Sequence, residues 1–369
     1  MIAARMAKLD SSGIRKVFDL AARMENPVNL SIGQPDFDVP DEVKDAAIQA
    51  IRDGRNRYTV TQGIPELHAR LRAFLQREKG VCGDNILVTA GVSGALMLAF
   101  LVLLDPGDEV VIPDPYFVMY KHLANLVGAR PVFVDTYPDF RLTAARLERY
   151  LTPRTKIVVL NSPNNPTGAV MGEREICEVA DLLAPRDLLV ISDEIYDSFT
   201  YDLPYVSAAA HCRRCLLVGG FSKSHAMTGW RLGYAVGPAE VIAEMTKLQQ
   251  FSFVCAPSFA QWAAVKALDV DMSSRRREYQ AKRDRIYHGL RRHFEVEKPS
   301  GAFYIFPRVP WGTDEEFVAE AIRHQVLVIP GRVFSEKNTH FRISYAASDA
   351  TIDRGIEILC RLAQAGGPA

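Results

Sequence analysis

The sequence lacks most features that would commit a chain to a membrane, a polyanion or a metal. Its longest apolar run, residues 95–104, is half of the roughly 20 residues that a membrane-spanning helix needs. The opening MIAARMAKLD has no apolar stretch of signal-peptide length, so a soluble, cytoplasmic protein without a membrane partner is expected. Neither sign of charge is in excess. In 369 residues, 44 Lys and Arg balance 44 Asp and Glu, which excludes a global field for nucleic acid. The basic run of Arg275, Arg276, Arg277, Lys282, Arg283, Arg285, Arg291 and Arg292 is interrupted by Glu278 and Asp284, and reads as a solvated helix face.

Six scattered cysteines are too sparse for a disulfide framework in a chain of this length. The one C-x-x-C, Cys212 and Cys215, has only His211 beside it, so no metal is assigned. No G-x-G-x-x-G follows the first strand and no G-x-x-x-x-G-K-[ST] occurs, which removes the dinucleotide and P-loop phosphate geometries.

What is present is length enough for two domains and a recurring pattern. Runs rich in Val, Ile and Leu at 86–88, 109–112, 156–160, 188–191 and 215–218 alternate with helical patterns, the signature of a parallel sheet covered on both faces. This predicts an α/β fold. Flanking it, Ser12 is placed to cap a helix over 14–24, and Pro65 to open another that stops at Gly80. Beyond Phe259 a charged helical stretch, strands at 302–306, 326–329 and 341–345, and helices at 314–324 and 351–363 read as a smaller α+β unit. The expected division is 40–265 as a large α/β domain, and 1–39 with 266–369 as the small one.

Ligands of open α/β sheets bind beyond the carboxyl ends of the strands, so the residues after each run carry the chemistry. After Val88 comes TAGVSGAL, whose Gly91 turn into a helix suits a phosphate. The later strand ends deliver Asn165, Asp193, Tyr196, Lys223 and Arg231. A lysine amine forms imines with carbonyls, above all with the aldehyde of pyridoxal 5′-phosphate. A carboxylate such as Asp193 favours the protonated pyridine ring that serves as electron sink. Asn165 and Tyr196 can donate hydrogen bonds to the ring's phenolate oxygen, and Arg231 can fork onto the phosphate.

Together these residues resemble those of the fold-type I pyridoxal-phosphate enzymes, specifically the class I/II aminotransferase family that includes aspartate aminotransferases. Ser222, Lys223, Gly229 and Arg231 match its S-K-x-x-x-x-x-G-x-R lysine signature, and the patterns around Asn165, Asp193 and Tyr196 reinforce it. The resemblance runs nearly the whole chain. It implies a mostly parallel seven-stranded central sheet with helices on both faces, and a homodimer with shared active sites. It implies a Schiff base on Lys223, with Ser222, Val92 and Ser93 at the phosphate and Phe117 stacked on the ring. Gly33 and Arg342 would meet the substrate carboxylate, and Tyr58 would reach the neighbouring subunit's phosphate. Pro115 and Pro166 occupy positions where relatives have cis peptide bonds. Where relatives carry a second phosphate serine, three residues before the lysine, this chain has Gly220.

The implied reaction moves the α-amino group of an L-amino acid, aspartate-like, aromatic or alanine-like, to a 2-oxo acid such as 2-oxoglutarate through pyridoxamine phosphate. A C-S lyase or synthase of the same fold is the alternative, since elimination uses the same residues up to a shared carbanion. Arg342 also carries an argument from alternation. Phe341, Ile343 and Tyr345 take one strand face, so the arginine takes the other. His225, two residues after the lysine, is read as structural.

Overall fold

Alternation inside the apolar runs decides the architecture. The computed structural model describes residues 2–367 except 11, 12, 15, 16, 18–21, 23 and 84, so Ser12 and most of the helix expected over 14–24 lie outside the described residues. After a short β1 (Val28–Asn29) come β2 (Ile86–Thr89), β3 (Glu109–Asp114), β4 (Arg130–Asp135), β5 (Thr155–Asn161), β6 (Leu189–Asp193), β7 (Cys215–Gly220) and β8 (Gly233–Val236). The last seven form one sheet in the order β2-β8-β7-β6-β5-β3-β4, in which β8 alone runs antiparallel to its neighbours. The fold is therefore the expected α/β fold with a mostly parallel seven-stranded sheet.

Both faces of this sheet are apolar, which is why its strands read as continuous runs. In β5, Ile157 and Val159 pack under the helices Gly91–Leu103 and Ala239–Gln250, while Val158 and Leu160 pack under Glu173–Leu183. Each buried side chain of this size contributes about 2 kcal/mol. Two strands were not expected. On the edge strand β4 only Val134 is fully buried, so the run carries little apolar alternation. The four residues of β8 follow the Arg231 motif with no separating pattern.

The smaller region is built from β9 (Tyr304–Ile305), β10 (Val326–Leu327), β11 (Ile329–Pro330) and β12 (Phe341–Ser344). Here β12 pairs antiparallel with β11 and β9, while β1 pairs parallel with β10. The strand expected over 326–329 is thus two, because the chain leaves one sheet at Val328 and joins another. Thr313 and Glu316 form a capping box for Asp314–Arg323, and Ser348 caps Asp349–Ala365. The basic residues from Arg275 to Arg285 lie on Ser273–Leu290, and several are engaged within the fold. Arg283 is fully buried and forks onto Asp202, Arg285 pairs with Asp349 and Asp353, and Lys282 with Asp36. No helix among the described residues is long and apolar enough to cross a membrane.

Candidate active site

A cavity of about 260 Å³ opens beyond the carboxyl ends of β5, β6 and β7. Eleven of the thirteen expected site residues line it: Gly33, Val92, Ser93, Phe117, Asn165, Asp193, Tyr196, Ser222, Lys223, Arg231 and Arg342. Gly91 stands just behind, at the start of the helix that carries Val92 and Ser93. Tyr58 is elsewhere, 84% exposed on a loop and outside this cavity.

At its floor, Asp193 ends β6 and is buried, with the Tyr120 hydroxyl donating to its Oδ2 at 2.6 Å. Burial raises its pKa to about 6, against the Tyr120 and Ile195 N–H hydrogen bonds that stabilise the carboxylate. Lys223 follows β7, and its Nζ donates to the Gly33 carbonyl at 2.7 Å. Burial, then the Arg342 and Arg231 charges, lower its pKa to about 8 while Asp193 opposes them. A lysine so depressed becomes a neutral amine at a pH well below the usual lysine range.

Asn161, the last residue of β5, ties the strand ends together. Its Nδ2 donates to the Asp193 carbonyl at 3.1 Å, and its Oδ1 accepts from the Asn165 N–H at 3.0 Å. The chain passes a cis bond at Ser162–Pro163 and not at Pro166, which corrects the expectation there; by Pro166 the backbone is already in a turn closed by Gly168 N–H to Asn164 O at 2.9 Å. The bond before Pro115 is cis as expected.

Arg342 sits within β12 and is 1% exposed, although it faces away from Phe341 and Ile343. That face is covered. The guanidinium lies 4.5 Å from the Tyr304 ring centre and 4.6 Å from that of Phe334, and donates to Asn165 Oδ1 at 3.0 Å and Ser31 O at 2.8 Å. Its Nε is buried without a partner, and among the described residues no carboxylate pairs with it. Burying a guanidinium without a counter-ion is costly unless an anion comes to it. Tyr304, on the adjacent strand, meets the Tyr196 hydroxyl at 2.8 Å.

The phosphate-sized end is shaped by backbone. The helix Gly91–Leu103 has no side-chain cap, leaving its first N–H groups and positive dipole end free. Arg231, held at φ +53, reaches over Gly91, where an added Cβ would come within 2.7 Å of its guanidinium. At Gly220 a Cβ would press on Gly233 Cα and the Leu232 carbonyl at 3.0 Å, so a serine there is crowded against the sheet. His225 turns away and lines a separate cavity of about 380 Å³, and burial lowers its pKa to about 4.

Thus the donor set fits pyridoxal phosphate: an amine, a facing carboxylate, a hydroxyl pair and an anion cradle converge on one cavity of suitable size. Tyr120, Asn161, Thr228 and Tyr304 complete it without having been expected. Asn161 directly follows an apolar run and was open to the strand-end rule, whereas Tyr120 and Tyr304 carry no local signal.

Comparison with known proteins agrees. The probable aspartate aminotransferase of Methanocaldococcus jannaschii is 38% identical over 97% of this chain and 99% of its own. The aromatic-amino-acid aminotransferase 2 of Thermococcus litoralis is 36% identical over 96% of each chain. The structure of Thermus thermophilus aspartate aminotransferase with maleate superposes with a TM-score of 0.94 at 35% identity, covering 98% of this chain and 99% of that one. These names leave the elimination alternative without support. The family model for aminotransferase class I and II matches residues 25–359, and the chain belongs to that family of pyridoxal-phosphate-dependent transferases.

Proposed function

We propose that the protein transfers the α-amino group of an L-amino acid, aspartate-like, aromatic or alanine-like, to a 2-oxo acid such as 2-oxoglutarate, with Lys223 as the residue that moves the proton. The observation that carries this reading is the position of Lys223 Nζ in one cavity with Asp193, Arg231 and Arg342. Pyridoxal phosphate supplies an aldehyde that captures the amino group and a ring that withdraws the electrons left at Cα. Asp193, braced by Tyr120, would favour the protonated form of that ring's nitrogen. The Gly91 turn, Val92, Ser93, Ser222 and Arg231 would hold the phosphate, and Phe117 would lie against the ring. Asn165 and Tyr196 would donate to the phenolate oxygen. Arg342 fixes the substrate α-carboxylate beside Gly33, which satisfies its unpartnered Nε.

Lys223, neutral above its lowered pKa of about 8, would take and hand back the α-proton. Lys223→Ala is expected to lose on the order of ten-thousandfold in kcat; retention of transamination by that variant would overturn the assignment. A panel of amino donors against 2-oxoglutarate, followed as 2-oxo acid formation, identifies the substrate.

The protein acts as a cytoplasmic homodimer in this reading. Support comes from Tyr58, Val60, Phe251 and Phe253, large apolar groups left exposed on the single chain, with Phe253 packing beside Gly94 on the phosphate helix. Arg55 and Arg57, adjacent to Tyr58, would then border the partner's cavity. The division into 40–265 and 1–39 with 266–369 places Lys223 and Arg342 on separate domains.

A further inference from the structure

The turn after β6 has two faces. Asp197 N–H donates to Glu194 O at 3.1 Å and Phe199 N–H to Tyr196 O at 2.9 Å, winding the segment into helical turns. Residues three apart then share a side. Asp193 and Tyr196 line the cavity, and Glu194 and Asp197 are directed to the opposite side, where both meet Lys79.

That lysine is unusual in its setting. Its side chain is 1% exposed, its Nζ lies 2.9 Å from Glu194 Oε2, and it also bonds Asp197 Oδ2. The Ser192 and Ser207 hydroxyls donate to the remaining Glu194 oxygen at 2.8 and 2.6 Å. Nζ stands 4.8 Å from the centre of the Tyr205 ring. Burial works against the lysine's charge, yet Asp197 and Glu194 hold its pKa well above the ordinary value. A local distortion delivers it: the helix Pro65–Phe74 runs into a π-turn, Leu75–Lys79, closed by Gly80 at φ +65. Such turns insert an extra residue and are frequent at functional positions.

We propose that Lys79 is a positioning residue for transamination, clamping Glu194 and Asp197 from behind so that Asp193 and Tyr196, on the other face of the same turn, keep their aim into the cavity. The proposal rests on the role given to Asp193 above. Glu194 is its chain neighbour, so loss of the lysine would leave buried carboxylates uncompensated directly behind it. The turn would then take up a proton or move, and a shift of about an ångström in a reacting group costs on the order of a hundredfold in rate.

The test uses the holoenzyme with Lys79→Met, Lys79→Met/Glu194→Gln and Glu194→Gln, beside Asp193→Asn. Three quantities are read: the dissociation constant of pyridoxal phosphate by equilibrium dialysis, kcat and KM for the amino donor, and the unfolding temperature without cofactor. Lys79→Met is expected to lose about tenfold or more in kcat and in cofactor affinity, with KM within about twofold. The double variant, which removes one buried negative charge with the positive one, is expected to regain most of both. Wild-type kcat and cofactor affinity in Lys79→Met, or a lowered unfolding temperature as its sole effect, would overturn the clamp. Should Lys79→Met fail to fold, Glu194→Gln decides, since unchanged kcat and affinity there also overturn it. If Asp193→Asn keeps full activity, the underlying reading of the site has failed instead.

Discussion

The two walls of the cavity are built on different principles. On the sheet side, Asp193 is the last residue of its strand, and Asn165 and Lys223 follow the carboxyl ends of the parallel strands on either side of it. On the small side, Arg342 lies inside β12, opposite Ile329, covered by Tyr304 and Phe334. A strand end tolerates a charge because water or a ligand is near it. A strand interior tolerates one only if rings and carbonyls enclose it, and at Arg342 that enclosure leaves Nε without a partner. Transition-state chemistry should therefore reside on the first wall and ground-state capture on the second.

That contrast is breakable. Asp193→Asn is expected to lower kcat on the order of a thousandfold with little change in KM, measured in steady-state assays. Arg342→Gln is expected to raise the donor KM about a hundredfold, the worth of a charge-assisted bidentate contact; a pure kcat loss would erase the distinction between the walls. Arg231→Gln is expected to weaken pyridoxal phosphate binding about tenfold while leaving the KM of saturated enzyme near wild type. The smallest change expected is for Tyr304→Phe, a severalfold loss as the Tyr196 hydroxyl loses its partner.

The pH profile sharpens the same division. Asp193, with its pKa raised to about 6, is charged only above that value, and Lys223, lowered to about 8, is neutral only above its own. Single-turnover rates are therefore expected to rise with pH through both regions and to fall off below 6. In Asp193→Asn the limb near 6 should vanish and the one near 8 should move to lower pH, because the Asp193 charge holds the Lys223 pKa up.

Legibility in the sequence followed the same line. The strand-end residues were readable because each follows a run that announces a strand, and the fold class followed from those runs. Asn161 obeys that rule as well. The edge strand β4, with one fully buried residue, and the short β8 lacked the apolar contrast that periodicity needs. Tyr120 reaches Asp193 from a helix 73 residues earlier, and Tyr304 sits in AFYIF, where an aromatic reads as core. Neither has a neighbour in sequence that reports its partner. Arg342 was placed on the correct strand face, but its burial depends on Ser31, Tyr304 and Phe334, none of them local.

The cationic excess inside the cavity also has a kinetic side. Among the described residues lining it, Lys223, Arg231 and Arg342 face a single buried carboxylate, Asp193, within a chain whose formal net charge is zero. Low-dielectric walls concentrate such a field at the mouth, where it favours carboxylates and phosphates. With a screening length of about 8 Å at physiological ionic strength, the attraction reaches only the last few molecular diameters of approach. Added salt should slow the encounter of anionic substrates and cofactor with this site while sparing the steps that follow their capture.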